Sequence, residues 1–321
     1  MGRHLDFFDS EKLAFLSRSL KNVAFIFFQF FLSFSLLIFL TFFLMHLMPG
    51  SALVEDHRTD PLVVAQLREF YHLDQGLWVQ LKIYISHLFR GDFGVSLQSP
   101  GSSVQQLIMD RAPTTFFLGT VALALSVVSS FLMSLARILS GAGKRWFDSA
   151  FFMGLAVPSF ALGPLLIWLF AFYLNWLPVA LLETPASYLL PLFLLSFKPT
   201  LVLVRTLNAS MDQSLRTPYI QTARAMGFSE LQILTKWALK NSMLGYLQQV
   251  ALIAATLISG SFFVETIFAI QGLGSLFVDS LLARDSAMVL AMTLLFGMFV
   301  IFLQMLANIV LLLMDPRRER W

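Results

Sequence analysis

The sequence contains no cysteine. That excludes disulfide scaffolds, thiolate metal sites and thiol nucleophiles. Charge is scarce too: 13% of the 321 residues are Asp, Glu, Lys or Arg, against 57% hydrophobic. Mean hydropathy is +0.75. A soluble globular protein does not need that balance, whereas a polytopic membrane protein does. Signatures of chemistry are missing as well. There is no G-x-x-x-x-G-K-[ST] phosphate loop, no H-E-x-x-H and no histidine pair at metal-ligand spacing. Nor is there a Gly-x-Ser-x-Gly elbow. His57, His72 and His87 lie between the first two hydrophobic runs and share no helical face. Acids are nearly absent from the hydrophobic runs, which argues against a proton-coupled pump or a carboxylate-driven carrier. We therefore expect no enzyme, no cofactor and no metal site.

What is present is a series of hydrophobic runs. Six are read, near 23–47, 116–138, 149–175, 188–207, 246–270 and 287–314, predicting an all-α integral membrane protein with six transmembrane helices. The first ends in Met48-Pro49-Gly50 without a small-x-small cleavage site and reads as an uncleaved anchor. Apart from Lys198, fifteen Lys and Arg fall on one side of this arrangement and six on the other. The bias places both termini and the 208–245 loop in the cytoplasm. Residues 1–22 then form a cytoplasmic segment. It reads either as an interfacial amphipathic helix, with Phe7, Phe8, Leu13, Phe15 and Leu16 on its apolar side, or as a loose tail. Residues 48–115 form a long outer segment, 104–314 the helical core and 315–321 a cytoplasmic tail.

Residues 216–245 form the longest polar, helix-competent stretch between two spans. Thr217 can cap a helix and Pro218 suits its first position. Gly227 can end that helix in a left-handed turn. Ser229 can cap a second helix with Gln232 as its reciprocal partner, and Phe228 and Ile233 can staple it. Helix, glycine turn and helix outside a bilayer form a platform for another protein.

Other features lie elsewhere. In the outer segment, 61–72 reads as a helix and Asp74-Gln75-Gly76 as a turn. Trp78, Leu81, Ile85 and Leu88 mark one helical face suited to the membrane interface. Arg90-Gly91-Asp92-Phe93-Gly94 is a glycine-bracketed turn. Its Arg-Gly-Asp triplet recurs by chance too often to imply adhesion. Ala122, Ser126, Ser130 and Ser134 place a small residue every fourth position of the second span. That stripe favours close helix packing over a pathway role for Ser126 and Ser130. Pro158, Gly163 and Pro164 break or kink the third span. Trp176 marks its outer interface. Lys198 sits inside the fourth span, where insertion scales put its cost at about 3 kcal/mol. Two readings stand level for it: snorkelling with a structural hydrogen bond, or contact with an anionic group in a translocation pathway. Glu265 reads as a stabiliser of a turn near the outer interface rather than a proton carrier, and Gly272-Leu273-Gly274 permits a sharp re-entry.

Tyr219-Ile220-Gln221-Thr222-Ala223-Arg224-Ala225-Met226-Gly227 resembles the coupling loop of binding-protein-dependent ABC importer permeases, in the dipeptide and oligopeptide branch. Trp237-Ala238-Leu239-Lys240-Asn241 continues the likeness. So do Met48-Pro49-Gly50, Arg90 to Gly94, Val157-Pro158-Ser159-Phe160, Val264-Glu265-Thr266-Ile267-Phe268, Gly272-Leu273-Gly274, Ala283-Arg284-Asp285 and Asp315-Pro316-Arg317. Together they cover nearly the whole chain after residue 22. They match the first of the two permease types in such systems, the one with a long outer loop after span one.

The resemblance implies a type I ABC importer permease fold in a bacterial inner membrane. It implies four partners besides lipid: a second permease subunit, two cytoplasmic ATP-binding subunits, and a periplasmic or lipid-anchored substrate-binding protein. No nucleic acid is implied. Carried over, Tyr219, Thr222, Ala223, Arg224, Ala225, Gly227, Ser229 and Asn241 would couple the pore to the ATPases. Small side chains at Ala223, Ala225 and Gly227 would let the helix enter a cleft. Two departures stand out. Met243-Leu244-Gly245 replaces the family's Leu-Pro, and Lys198 replaces an apolar residue. Relatives on the same fold carry nickel, polyamines or antimicrobial peptides, and a non-transport membrane scaffold is the alternative class.

Overall fold

The computed structural model describes residues 3–47, 69–96 except 71 and 73, 102–139, 149, 151, 153–179, 182 and 184–314. Side chains of 3–20, 45, 47, 139, 258–260, 286, 313 and 314 are not part of that description. Met48-Pro49-Gly50, most of the expected 61–72 helix, Lys144, Arg145 and Asp315-Pro316-Arg317 lie outside the described residues, as does the apolar side of residues 1–22.

Every regular element among the described residues is helical, apart from one isolated bridge between Val95 and Ser103. α1 (Arg3–Leu47) is a single helix, so the expected tail and first span are continuous. α2 (Leu77–Arg90) lies in the segment between the first two spans, and α3 (Val104–Leu139) follows. The third hydrophobic run is broken at Val157-Pro158. There α4 (Ser159–Leu166) begins, with Pro158 in extended conformation as its cap, and passes into a π-helical stretch, Ile167–Tyr173. The predicted proline break is therefore real. Pro164 lies inside α4, where it removes one intrahelical hydrogen bond.

α5 (Leu189–Leu215) is followed by the short α6 (Pro218–Ala225). Then comes a continuous run made of α7 (Glu230–Gln232), a π-helical stretch (Ile233–Ala238) and α8 (Leu239–Gly260). The expected 246–270 helix breaks at Ser261 into α8 and α9 (Phe262–Ile267). α10 (Leu273–Leu282) and α11 (Ser286–Met314) complete the chain. Among the described residues, four helices are long and apolar enough to cross a membrane: Lys21–Leu44, Val104–Ile138, Pro185–Leu215 and Ala287–Leu312. The third candidate is a shorter apolar helix, Ser159–Tyr173. In α8 the entry half carries Lys240, Asn241, Gln248 and Gln249, which dilute its hydropathy.

Two apolar clusters organise the bundle. α3, α5, α8 and α9 meet around Leu118, Leu194, Leu203, Leu207, Tyr246 and Phe268. α1, α2, the start of α3 and α11 meet around Ile38, Phe42, Leu81, Tyr84, Ile108 and Met288. Lipid tails are as apolar as leucine, so close packing and hydrogen bonds, not water exclusion, hold helices together inside a bilayer. The small stripe of α3 supplies both. Ala122, Ser126, Ser130 and Ser134 are all buried. Ser126 Oγ donates to Ser196 O across to α5 (3.2 Å), and Ser130 Oγ meets the Tyr246 hydroxyl of α8 at 2.8 Å. Such interhelical bonds average about 0.6 kcal/mol each.

One expected interfacial face turns inward. Leu81 is buried, and Ile85 and Leu88 pack on the α1–α11 cluster, because that cluster offers α2 a protein surface. Trp78 points away and is 81% exposed. α1 shows the opposite behaviour. Only 6% of its most apolar window is buried, and Phe25, Phe28, Phe31 and Leu36 face outward, as a lipid-contacting span requires.

Candidate functional site

α5 continues past its hydrophobic part to Leu215, and the chain reverses at Arg216-Thr217. Pro218 occupies the first position of α6, where its missing N–H costs nothing. Thr217 has the extended backbone of a cap, but its hydroxyl donates back to Ser214 O instead of accepting from α6. The turn after α6 is left-handed at Gly227, with φ +84°. Gly227 N donates to Arg224 O (3.0 Å) and Phe228 N to Ala223 O (3.3 Å). These are the two bonds of a Schellman ending, and they satisfy carbonyls that the helix end would otherwise leave open. Ser229 Oγ then accepts from Gln232 N (3.3 Å), and Gln232 Oε1 accepts from Ser229 N (3.2 Å), completing the expected capping box.

The expected staple has other partners. Ile233 is fully buried against Ile220 and Ala223, forming a small core under α6. Phe228 instead lies beside Trp237, with ring centroids 6.1 Å apart. Ala223 therefore faces its own chain. Its small size lets the 233–238 stretch approach α6, so of the three small residues expected at a cleft only Ala225 and Gly227 are exposed.

The remaining predicted residues come together around this turn. Arg224 Nε donates to Glu230 Oε1 (2.9 Å), and an Nη donates to Oε2 (3.3 Å), clamping one side of the turn to the other. Tyr219 Oη accepts from Asn241 Nδ2 (3.2 Å), which ties α6 to the entry of α8. The exposed Thr222 hydroxyl donates to Pro218 O. Below, Ser214 and Ser242 meet at 3.2 Å, and Arg137 of α3 pairs with Asp212 of α5 at 2.9 Å. These contacts join the base of the platform to α3, α5 and α8. The outward surface carries the exposed cations Arg216, Arg224, Lys236 and Lys240 around a single acid, Glu230. Interleaved with them is an apolar patch missed in the sequence: Met226 (71% exposed), Phe228, Leu231 and Trp237. Its signal was available, because large apolar residues bracket Gly227 in an otherwise polar loop.

The pathway candidates lie elsewhere in the bundle. Ser126 and Ser130 are buried in the helix contacts described above. Lys198 is half-buried on α5 and makes no hydrogen bond or ion pair with any described residue.

At the far end from this platform, Glu265 is completely buried. Oε1 accepts from Thr115 Oγ1 (2.8 Å) and Ser261 Oγ (2.7 Å), and Oε2 accepts from Gly274 N (2.7 Å) and Ser275 N (3.0 Å). The carboxylate sits on the N-terminal turn of α10, where free N–H groups and the helix dipole favour negative charge. Glu265 thus fastens the turn before α10 from a buried position.

Comparison with known proteins places this chain in a class. Residues 126–320 match the family described as binding-protein-dependent transport system inner membrane component. The dipeptide transport system permease protein DppB of Lactococcus lactis subsp. cremoris is 36% identical over 88% of this chain and 93% of its own length. DppB of Bacillus subtilis is 33% identical over 87% and 91%, and the oligopeptide transport system permease protein OppB of Haemophilus influenzae 33% over 88% and 94%. A chain of the MetNI methionine ABC transporter, solved facing inward, aligns at 16% identity and a TM-score of 0.48, over 72% of this chain and 97% of that one. The chain belongs to the inner-membrane permease components of binding-protein-dependent transport systems, a family of multi-pass transport proteins rather than catalysts.

Proposed function

We propose that this chain is one of two different permease subunits of a peptide importer, with six spans and both termini in the cytoplasm. Pro218–Ala225 is its coupling helix, docked in a cleft of one of two ATP-binding subunits. The observation that carries this reading is the platform: an exposed helix, closed by a Schellman turn, fastened by Tyr219–Asn241 and the Ile220–Ala223–Ile233 core onto the shaft of α8. ATP-driven closure of the motors would draw the two permeases' coupling helices together. Stiff helices would then pass that movement to the pore and exchange inward- and outward-open states. Dipeptide and oligopeptide carriage by relatives more than 30% identical over most of the chain supports the substrate class.

The test is binding-protein-stimulated ATP hydrolysis by the reconstituted complex. Gly227→Val forces a β-branched residue into a left-handed turn that even unbranched residues adopt at a cost of about 1–2 kcal/mol. No neighbouring atom obstructs its Cβ, so the effect is conformational. We expect stimulation to be lost with membrane insertion intact, and Gly227→Asn, which tolerates that conformation, to retain most of it. Wild-type coupling in Gly227→Val would refute the platform's role. A peptide, nickel and polyamine panel tests the cargo, and stimulation by no peptide would overturn the substrate class.

A further inference from the structure

At the end of the bundle opposite the platform, a crevice of about 610 Å³ opens, lined among others by Ser96, Arg111, Leu276, Asp279, Ser280 and Met288. Arg111 and the platform-side Arg137 share α3 and stand about 39 Å apart along it. The crevice falls within the size range of small-molecule sites, about 300–1,000 Å³. Its walls are anchored. Ser96 Oγ donates to Asp285 Oδ2, and Met288 N donates to Asp285 Oδ1 (3.1 Å), joining the loop before α3 to the start of α11. The α10 wall is held at its first turn by Glu265.

Two opposite charges line this cavity. Arg111 and Asp279 make no side-chain hydrogen bond or ion pair with each other or with any described residue. Such groups normally close on each other when the backbone allows it. Here both border the same crevice without pairing with each other.

We propose that the crevice is a transit site for a short zwitterionic peptide, one with a free α-amino group and a free α-carboxylate. The peptide's carboxylate meets Arg111, whose guanidinium can engage it through two parallel hydrogen bonds. Its ammonium meets Asp279. Leu107, Leu276 and Met288 supply apolar wall that accepts side chains without selecting among them. Asp279 is exposed and Arg111 half-exposed, so each contact is solvent-screened and weak. A transit site requires such weakness, because it must release what it binds. This proposal rests on the peptide-importer reading.

The probe is a photoreactive dipeptide, benzoylphenylalanyl-alanine, in free, C-amidated and N-acetylated forms. Each is added to the purified complex of both permeases and ATPases without binding protein, and labelling is mapped onto α3 and α10. We expect the free form to label about threefold to fivefold more than either capped form. Arg111→Gln should remove discrimination against the amide alone, and Asp279→Asn discrimination against the acetyl form alone. Arg111→Lys should keep the preference for a free carboxylate. Labelling blind to the caps, no labelling at this crevice, or unchanged discrimination in the variants would overturn the proposal. Peptide-loaded binding protein is tested on the wild-type complex in parallel. If it stimulates ATP hydrolysis while the crevice stays unlabelled, only this site fails. If no peptide stimulates, the importer reading fails first.

Discussion

The platform at residues 217–241 and the Glu265 junction at 261–285 solve the same problem, a chain reversal between helices, by opposite means. The platform is built from neighbours in sequence. Its proline start, glycine turn and capping box each close within about six residues, and most of its side chains are exposed. The junction is built from distance. Thr115 and Glu265 meet across 150 positions, and Thr115 Oγ1 also accepts from Leu273 N at 2.8 Å. Every oxygen of Glu265 is spent on a buried donor. A reversal that must present a surface to a partner uses local signals, which leave its outer face free. A reversal buried in the bundle can use the bundle itself.

Substitutions can break that contrast, and the largest effect belongs at the junction. Glu265→Ala leaves the hydroxyls of Thr115 and Ser261 and the amides of Gly274 and Ser275 without their acceptor. Leaving a buried donor unsatisfied costs about 1–3 kcal/mol, and four donors lose their acceptor together. Thermal unfolding of the purified complex should show a clear loss of stability, and an unchanged midpoint would mean that the junction is not held by this residue. Gly274→Ala comes next. A Cβ there would stand 2.4 Å from the Cα of Phe262 and 2.7 Å from its N, and backbone cannot step aside cheaply. We expect a loss near the upper end of the overpacking range, about 3 kcal/mol, read as reduced folded yield and a lower unfolding midpoint. The smallest stability effect belongs at the platform. Ser229→Ala removes one cap and should cost about 1 kcal/mol. It should nonetheless lower binding-protein-stimulated ATP hydrolysis more than Gly274→Ala lowers the specific activity of the fraction that does fold. The reverse ranking would collapse the distinction between a coupling element and a structural one.

Legibility followed the same division. Pro218, Gly227 and the Ser229–Gln232 box were readable because each acts through backbone groups a few residues away. The small stripe on α3 was readable because helical geometry alone brings every fourth residue onto one face. The destination of a long side chain was not. Phe228 and Ile233 have the spacing of a staple, but Ile233 found a buried pocket under α6 and Phe228 found Trp237. Trp78 and Leu81 share a helical face by spacing, yet one is exposed and the other buried, because only Leu81 lies over the α1–α11 cluster. Hydropathy likewise gives no sign of a break at 261, since apolar residues flank Ser261 on both sides. The helix stops there nonetheless, and Ser261 donates to Glu265.

By itself the sequence determined that this chain lies in a membrane, which segments are apolar, where the polar platform turns, and to which permease family its motifs lead. Those properties reside in composition, in helical period and in backbone hydrogen bonds that close locally. The tertiary structure alone decided what the isolated charges do: that Glu265 is a buried fastener, that Arg137 and Asp212 pair, and that Arg111 and Asp279 line a shared crevice without pairing with each other. A charge acquires its role from what surrounds it in space. In a helical bundle those surroundings come from other helices, in several cases more than a hundred residues away.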